Sequence, residues 1–123
     1  MRVFKTKWFS RFARKEDISD FALLEAIERL QSGVLDADLG GGLVKQRLAR
    51  TGEGKSGGFR TIIAYKSGNS AFFIYGFAKN ERDNVDAKDV KYLKSTAAEL
   101  LSSLEREIEV LKNDNELMEI LTL

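Results

Sequence analysis

The segment Phe59–Ala78, FRTIIAYKSGNSAFFIYGFA, sets the antiparallel character of this protein. Two runs rich in aromatic and β-branched residues flank SGNS at 67–70, a composition typical of a tight turn between strands. We therefore predict a hairpin with Gly68 and Asn69 at its tip. The predicted cross-strand pairs are Lys66 with Ala71, Ala64 with Phe73, Ile62 with Tyr75, and Arg60 with Phe77.

This register divides the hairpin side chains between two faces of the sheet. Arg60, Tyr75 and Phe77 share one face, with Lys79 just beyond the end of the second strand. The other face has an ordinary core pattern, formed by Phe59, Thr61, Ile63, Tyr65, Phe72 and Ile74. A slip by one residue would bury Arg60 without a partner, which is energetically costly.

The preceding strand, predicted over 43–49, adds two more cations. Lys45 and Arg47 lie two residues apart, so they project from the same side of the sheet. The sequence leaves open whether that side is the one that carries Arg60. If it is, the cations form a concave patch with the hairpin rings between them. The alternative is a sheet edge kept soluble by basic residues, with Arg60 paired to Glu81.

A glycine-rich segment, GEGKSG at 52–57, matches the dinucleotide motif G-x-G-x-x-G letter for letter. That motif must run from a strand into a helix, whereas this segment lies between two predicted strands. We therefore predict a flexible connection over 50–58. A functional version of it would contact a phosphate backbone through exposed amides and Lys55.

Helices are predicted on both sides of these strands. Residues 1–6 indicate a short strand, and the first helix follows it. The second helix is predicted to begin after the cap Ser19 and to end near Gly33. Helical spacing of apolar residues returns from Asp86 onward. Three rings at helical spacing predict a basic first helix and should lie in the core: Trp8, Phe9 and Phe12.

The predicted fold class is α+β. A mostly antiparallel sheet of three to four strands carries an N-terminal helical pair and a C-terminal helix, in a single domain over 1–123. A helical extension is predicted at about 104–123, where it can cover the sheet, mediate self-association or contact a partner protein.

Composition excludes several classes of chemistry. The 123 residues include no cysteine and no histidine, which removes disulfides, thiolate or imidazole mechanisms and the common zinc sites. We expect no cofactor and no metal, because the acidic residues Asp83, Asp86 and Asp89 are placed to cap a helix. No apolar run is long enough for a membrane span, so we expect a cytoplasmic protein without a membrane partner.

Positive charge is concentrated although the formal net charge is only +1. Residues 1–15 carry six basic and no acidic side chains, and residues 40–66 carry six basic against one acidic. Residues 16–39 carry one basic against seven acidic. Cations interleaved with rings suit single-stranded RNA. The candidate RNA-binding residues are Arg50, Lys55, Phe77, Asn80 and Arg82.

Three separated motifs resemble the RelE superfamily of toxins from bacterial toxin–antitoxin modules, in particular its HigB-like members. The motifs are GGLVKQR at 41–47, GKSGGFR at 54–60 and YGFAKNER at 75–82. The resemblance implies a compact α+β domain that cleaves messenger RNA on the ribosome and is inhibited by a cognate antitoxin. We expect the free protein to be a monomer or weak dimer.

By motif position, four residues match the basic residues of the family's active strands: Lys45, Arg47, Arg60 and Lys79. The chain departs from well-studied relatives at Asn80, where they have a second catalytic arginine, and at Asp86, where they have a tyrosine. In this chain the general acid would therefore be Tyr75 or Arg82.

The mechanism that these residues suggest is attack by the RNA 2′-hydroxyl on the adjacent phosphorus. Arg47 and Arg60 would hold the scissile phosphate, and Lys45, Lys79 or Glu81 would act as base. Tyr75 would be the acid or a stacking platform. Two alternatives stay open, namely a ParE-type inhibitor of DNA gyrase and a catalytically silent relative that only binds antitoxin.

Overall fold

The computed structural model describes residues 1–50, 54–79 and 85–121, with backbone only at 49, 50 and 54–57. The strands and helices are β1 (Arg2–Thr6), α1 (Lys7–Lys15), α2 (Asp20–Gln31), β2 (Ala37–Gly40), β3 (Leu43–Arg50), β4 (Gly54–Lys66), β5 (Ser70–Ala78), α3 (Ala87–Leu101), α4 (Glu105–Asn113) and β6 (Leu117–Ile120).

The strands form one sheet of six strands in the order β2-β3-β4-β5-β1-β6. Neighbouring strands are antiparallel except β1 and β5, which are parallel. Helices α1 and α2 pack on one face of the sheet, and α3 and α4 pack on the other. The predicted α+β class is confirmed, although the sheet has more strands than the expected three to four.

The hairpin of β4 and β5 is confirmed, but its turn differs from the prediction. Lys66 pairs with Ser70 across a three-residue loop in which Gly68 has φ +72°. The predicted pairs Lys66 with Ala71 and Ala64 with Phe73 are therefore wrong by one residue. A β-bulge between the pairs of Ile62 and Ile63 restores the predicted register, so Ile62 pairs with Tyr75 and Arg60 with Phe77.

The bulge also changes which side chains of β5 reach each face. The extra residue interrupts the alternation of the strand, so Phe72 and Ile74 lie with Phe77 in the core beneath α3 and α4. The prediction that Phe72 and Ile74 share a face with Phe59 is wrong. Phe59 and Phe73 instead pack under α1 and α2.

Three further expectations need correction. The segment predicted as a helical extension over 104–123 contains α4 but then forms the edge strand β6. The connection predicted over 50–58 is largely strand, because β4 already begins at Gly54. In α1, Phe9 is fully buried, but Trp8 is 46% exposed and so is not a core residue.

Candidate functional site

The cations of β3 lie on the same side of the sheet as Arg60. Arg47 pairs directly with Arg60 across β3 and β4, and Lys45 pairs with Ile62. Directly opposed residues share a face, so Lys45, Arg47 and Arg60 project together. The question that the sequence left open is answered in favour of a shared cationic surface.

Cross-strand pairing extends this surface into two rows. One row runs Arg47, Arg60 and Phe77, and the next runs Lys45, Ile62 and Tyr75. Strands lie about 4.8 Å apart, so Tyr75 is two strands, or about 10 Å, from Lys45 at the backbone. The predicted catalytic residues of β3, β4 and β5 thus occupy neighbouring positions.

A carboxylate that sequence reasoning missed lies at the centre of the cations. Asp36 Oδ2 is 3.3 Å from Lys45 Nζ and 3.4 Å from Arg60 Nε, and its Oδ1 is 3.3 Å from Arg47 Nε. The Asp36 backbone N–H also donates to the Lys45 carbonyl at 3.0 Å. We call Asp36, Lys45, Arg47 and Arg60 the Asp36 cluster.

The Asp36 cluster carries three cations against one carboxylate. Burial acts to raise the pKa of Asp36, but hydrogen bonds from Lys45 and Arg47 and the charge of Arg60 outweigh it and lower that pKa. The carboxylate therefore stays ionised and offsets one positive charge. Among the described residues an excess of positive charge remains, and it makes the cluster attractive to an anion.

Exposure differs sharply among the three cations. The Arg60 side chain is 6% exposed and the Lys45 side chain 13%, whereas the Arg47 side chain is 49% exposed. Arg60 also donates from Nη1 to the Phe59 carbonyl at 3.4 Å. An incoming anion therefore meets Arg47 first.

Lys79 lies at the same end of the hairpin. It is exposed and follows β5 directly, and its backbone N–H donates to the Gly58 carbonyl at 3.1 Å. Gly58 is two residues from Arg60 along β4, so the backbones of Lys79 and Arg60 are close in space.

The two rings of the predicted site have different environments. Phe77 is only 5% exposed and belongs to the core, so the expectation of an exposed stacking ring there is wrong. Tyr75 is half-buried, with its ring centroid 4.6 Å from that of Trp8 and 6.3 Å from that of Phe77. Tyr75 thus lies between the exposed ring of Trp8 and the row of Ile62 and Lys45.

Several predicted residues lie outside the described part of the chain. Asn80, Glu81, Arg82 and Asp83 are among them, and the side chains of Arg50 and Lys55 are not described either. Their proposed roles rest on the sequence alone.

Residues 1–120 match the family model described as the RelE toxin of the RelE / RelB toxin–antitoxin system. The chain belongs to the RelE toxin family. No curated protein matches the chain significantly.

Membership of the RelE family identifies the chain as the toxin of a toxin–antitoxin system, and such toxins typically pair with an antitoxin. Within the described ranges, no helix of this RelE-family protein has the length and apolar character needed to cross a membrane.

Proposed function

We propose that this RelE-family toxin is a ribosome-dependent endoribonuclease that cleaves messenger RNA by attack of the 2′-hydroxyl on the adjacent phosphorus. The observation that carries the proposal is the convergence of Lys45, Arg47 and Arg60 from two strands onto one carboxylate. Excess positive charge held on rigid strands is suited to binding a phosphate and the phosphorane that forms from it.

Attack by the 2′-hydroxyl requires neither a metal nor a water nucleophile. The O2′–P bond forms as the P–O5′ bond breaks, which yields a 2′,3′-cyclic phosphate and a 5′-hydroxyl. The protein must orient these atoms, stabilise the charge of the phosphorane and move two protons. Arg47, which is half exposed, binds the scissile phosphate first, and Arg60 holds it from the sheet.

The proton transfers fall to residues beside the cluster. Because Lys45 is ion-paired with Asp36, we assign Lys45 to charge stabilisation and Lys79 to removal of the 2′-hydroxyl proton. Tyr75, in the row next to Arg60, protonates the leaving 5′ oxygen. A lysine base is weak at neutral pH, so placement of the substrate by the ribosome supports the rate.

The test is induced expression of the wild type and of Arg47→Ala and Arg60→Ala, with mapping of messenger RNA 5′ ends and of gyrase-linked DNA breaks. Arg47 is half exposed, so its replacement leaves the core intact even if Arg60→Ala fails to fold. Arg106→Ala, an exposed cation of α4, is the matched control.

The proposal predicts codon-linked RNA breaks that disappear in the Arg47 variant and persist in the Arg106 variant. DNA breaks with intact RNA would overturn it in favour of a gyrase inhibitor. Absence of toxicity in the expressed, folded wild type would overturn it in favour of a silent antitoxin-binding relative.

A further inference from the structure

A groove of about 600 Å³ lies beside β5, with Tyr75 in its wall and none of the four residues of the Asp36 cluster in its lining. One wall is formed by Trp8 and Tyr75, whose rings are in contact, and the opposite wall is α3. Trp8 is 46% exposed and Tyr92 of α3 is 71% exposed. Exposed rings that line one groove form a contiguous apolar patch, and such patches mark surfaces that bind other molecules.

The side chains of α3 that line the groove form one continuous stripe along the helix. The groove-lining residues of this helix are Asp89, Tyr92, Leu93, Thr96, Glu99 and Leu100. Their spacing of three and four residues places them on a single helical face, and Asp89 and Glu99 are about 15 Å apart along the axis. The stripe is therefore aromatic and apolar in the middle with a carboxylate at each end.

The charge of the groove is opposite to that of the Asp36 cluster. Among the residues that the structure describes, Asp89, Glu99 and Glu116 line it together with a single cation, Lys7. Among the described residues, Glu99 and Glu116 have no ion-pair partner. Carboxylates beside exposed rings attract cationic groups, through charge and through the ring faces, and repel a phosphate backbone.

We infer that this groove is a docking site for a cationic amphipathic helix of a protein partner. The helix carries basic residues about ten positions apart, which face Asp89 and Glu99, with apolar residues between them that contact Tyr92 and Trp8. A helix fits because the groove follows about three turns of α3, whose ridges accept a second helix. The inference concerns protein recognition and does not depend on RNA cleavage.

Trp8 is the single tryptophan of the chain, so its fluorescence reports directly on the groove. The probe is a synthetic helical peptide of about 14 residues with two lysines about ten positions apart and leucines between them. A matched peptide carries glutamates in place of the lysines. Titration of the full chain with the lysine peptide is expected to give a saturable shift in Trp8 emission.

Reversing the charge of the groove, and separately that of the peptide, provides the decisive control. The variant Glu99→Lys, which reverses one of the two carboxylates that the peptide lysines face, is expected to lose roughly tenfold in affinity for the lysine peptide and to bind the glutamate peptide more tightly than the wild type does. Glu28→Lys, an exposed carboxylate change on α2, is expected to leave both affinities as in the wild type.

Three results would overturn the inference. The first is equal binding of the lysine and glutamate peptides. The second is a Trp8 shift caused by a single-stranded oligonucleotide and not by the peptide, which would make the groove an RNA surface. The third is a Trp8 shift that follows protein concentration alone, which would identify a second copy of the chain as the occupant.

Discussion

Asp36 controls how strongly the cationic surface attracts an anion. It contacts all three cations at 3.3 to 3.4 Å, which is longer than the 2.7 to 2.9 Å typical of strong charged hydrogen bonds. A phosphate can therefore compete for the same donors. Under the proposed function, the carboxylate both gathers the cations before substrate binds and opposes the binding of that substrate.

We predict that Asp36→Asn tightens the binding of a single-stranded oligonucleotide by roughly threefold, because one negative charge is removed from the site. The same change should lower the free energy of unfolding by about 1 kcal/mol, because the cations then repel one another. Fluorescence anisotropy and chemical denaturation measure the two effects. Asp38→Asn, a change of an exposed carboxylate two residues further along the chain, should not tighten binding. Weaker binding by Asp36→Asn would refute the competition.

Tyr75 supports a second prediction about a single side chain. In the proposed mechanism Tyr75 donates a proton, which matters for turnover but little for affinity. Tyr75→Phe is therefore expected to lower the cleavage rate by about 10²-fold with unchanged oligonucleotide binding. The measurement is cleavage of messenger RNA on programmed ribosomes. Tyr92→Phe is the control, and full activity of Tyr75→Phe would assign the proton to another residue.

Sequence reasoning identified the cations of the site but not their counter-ion. Lys45, Arg47 and Arg60 sit on strands with clear alternation, so their positions could be read from the chain. Asp36 precedes β2, which has the composition Ala-Asp-Leu-Gly and lacks β-branched or aromatic residues. Only the pairing of β2 with β3 brings Asp36 to Lys45, and no local pattern encodes that pairing.

Strand β5 is fixed against α1 by a close backbone approach. A Cβ at Gly76 would lie 2.6 Å from Cε2 of the Phe12 ring. That ring is itself held by the rings of Trp8, Phe9 and Phe59. Glycine is therefore required here by packing.

We predict that Gly76→Ala lowers the free energy of unfolding by about 2 kcal/mol through overpacking. In a chain that already carries Phe12→Leu, which removes the ring, Gly76→Ala should lower the free energy of unfolding by much less. Chemical denaturation of the wild type, the two single variants and the double variant gives the coupling free energy between Gly76 and Phe12. An equal loss in both backgrounds would show that the cost arises from the strand and not from the ring contact.

The edge of the sheet at β6 depends on one ion-pair network. Hydrogen bonds from Arg2 lower the pKa of Glu119 to about 2, with a further contribution from Lys112, although burial opposes the shift. Arg2 Nε lies 2.8 Å from Glu119, and Lys112 Nζ lies 2.8 Å from it. These contacts join β1, α4 and β6.

Because the pKa of Glu119 is depressed below its usual 4.5, its stabilising contribution is complete above that pH and is lost as the pH falls toward 2. We predict that Glu119→Gln lowers the free energy of unfolding by about 2 kcal/mol at neutral pH and by far less near pH 2. Thermal denaturation of the wild type and of Glu119→Gln between neutral pH and pH 2 measures this difference in stability. A deficit for Glu119→Gln that stays constant across this pH range would contradict the linkage.

The strands and helices with strong periodicity could be predicted, and those without it could not. The hairpin, α1, α2 and α3 follow from alternation, caps and helical spacing. The bulge at Ile74 could not be foreseen, because it arises from a three-residue loop at 67–69 where composition favoured two residues. Strand β6 lies inside the segment predicted to be helical, because four residues are too few to show the alternation of apolar and polar side chains that marks a strand.

Opposite charges occupy separate regions of this nearly neutral protein. The formal charge is +1, so the chain as a whole exerts little long-range attraction on RNA. Attraction must come from the Asp36 cluster, while the groove beside Trp8 is acidic. This separation of charge is what the two proposals require, because RNA would bind at the Asp36 cluster and a cationic protein in the groove.

This separation predicts how RNA binding depends on salt. Three cations on a single strand of RNA give a slope of log affinity against log salt concentration of about −2. Arg47→Ala is expected to make the slope shallower by about 0.7, because one phosphate contact is lost. Glu99→Lys, in the acidic groove, should leave the slope near its original value. Fluorescence anisotropy with a single-stranded oligonucleotide at several salt concentrations provides the measurement. A slope steepened by Glu99→Lys and unaffected by Arg47→Ala would mean that RNA contacts the groove face instead of the Asp36 cluster.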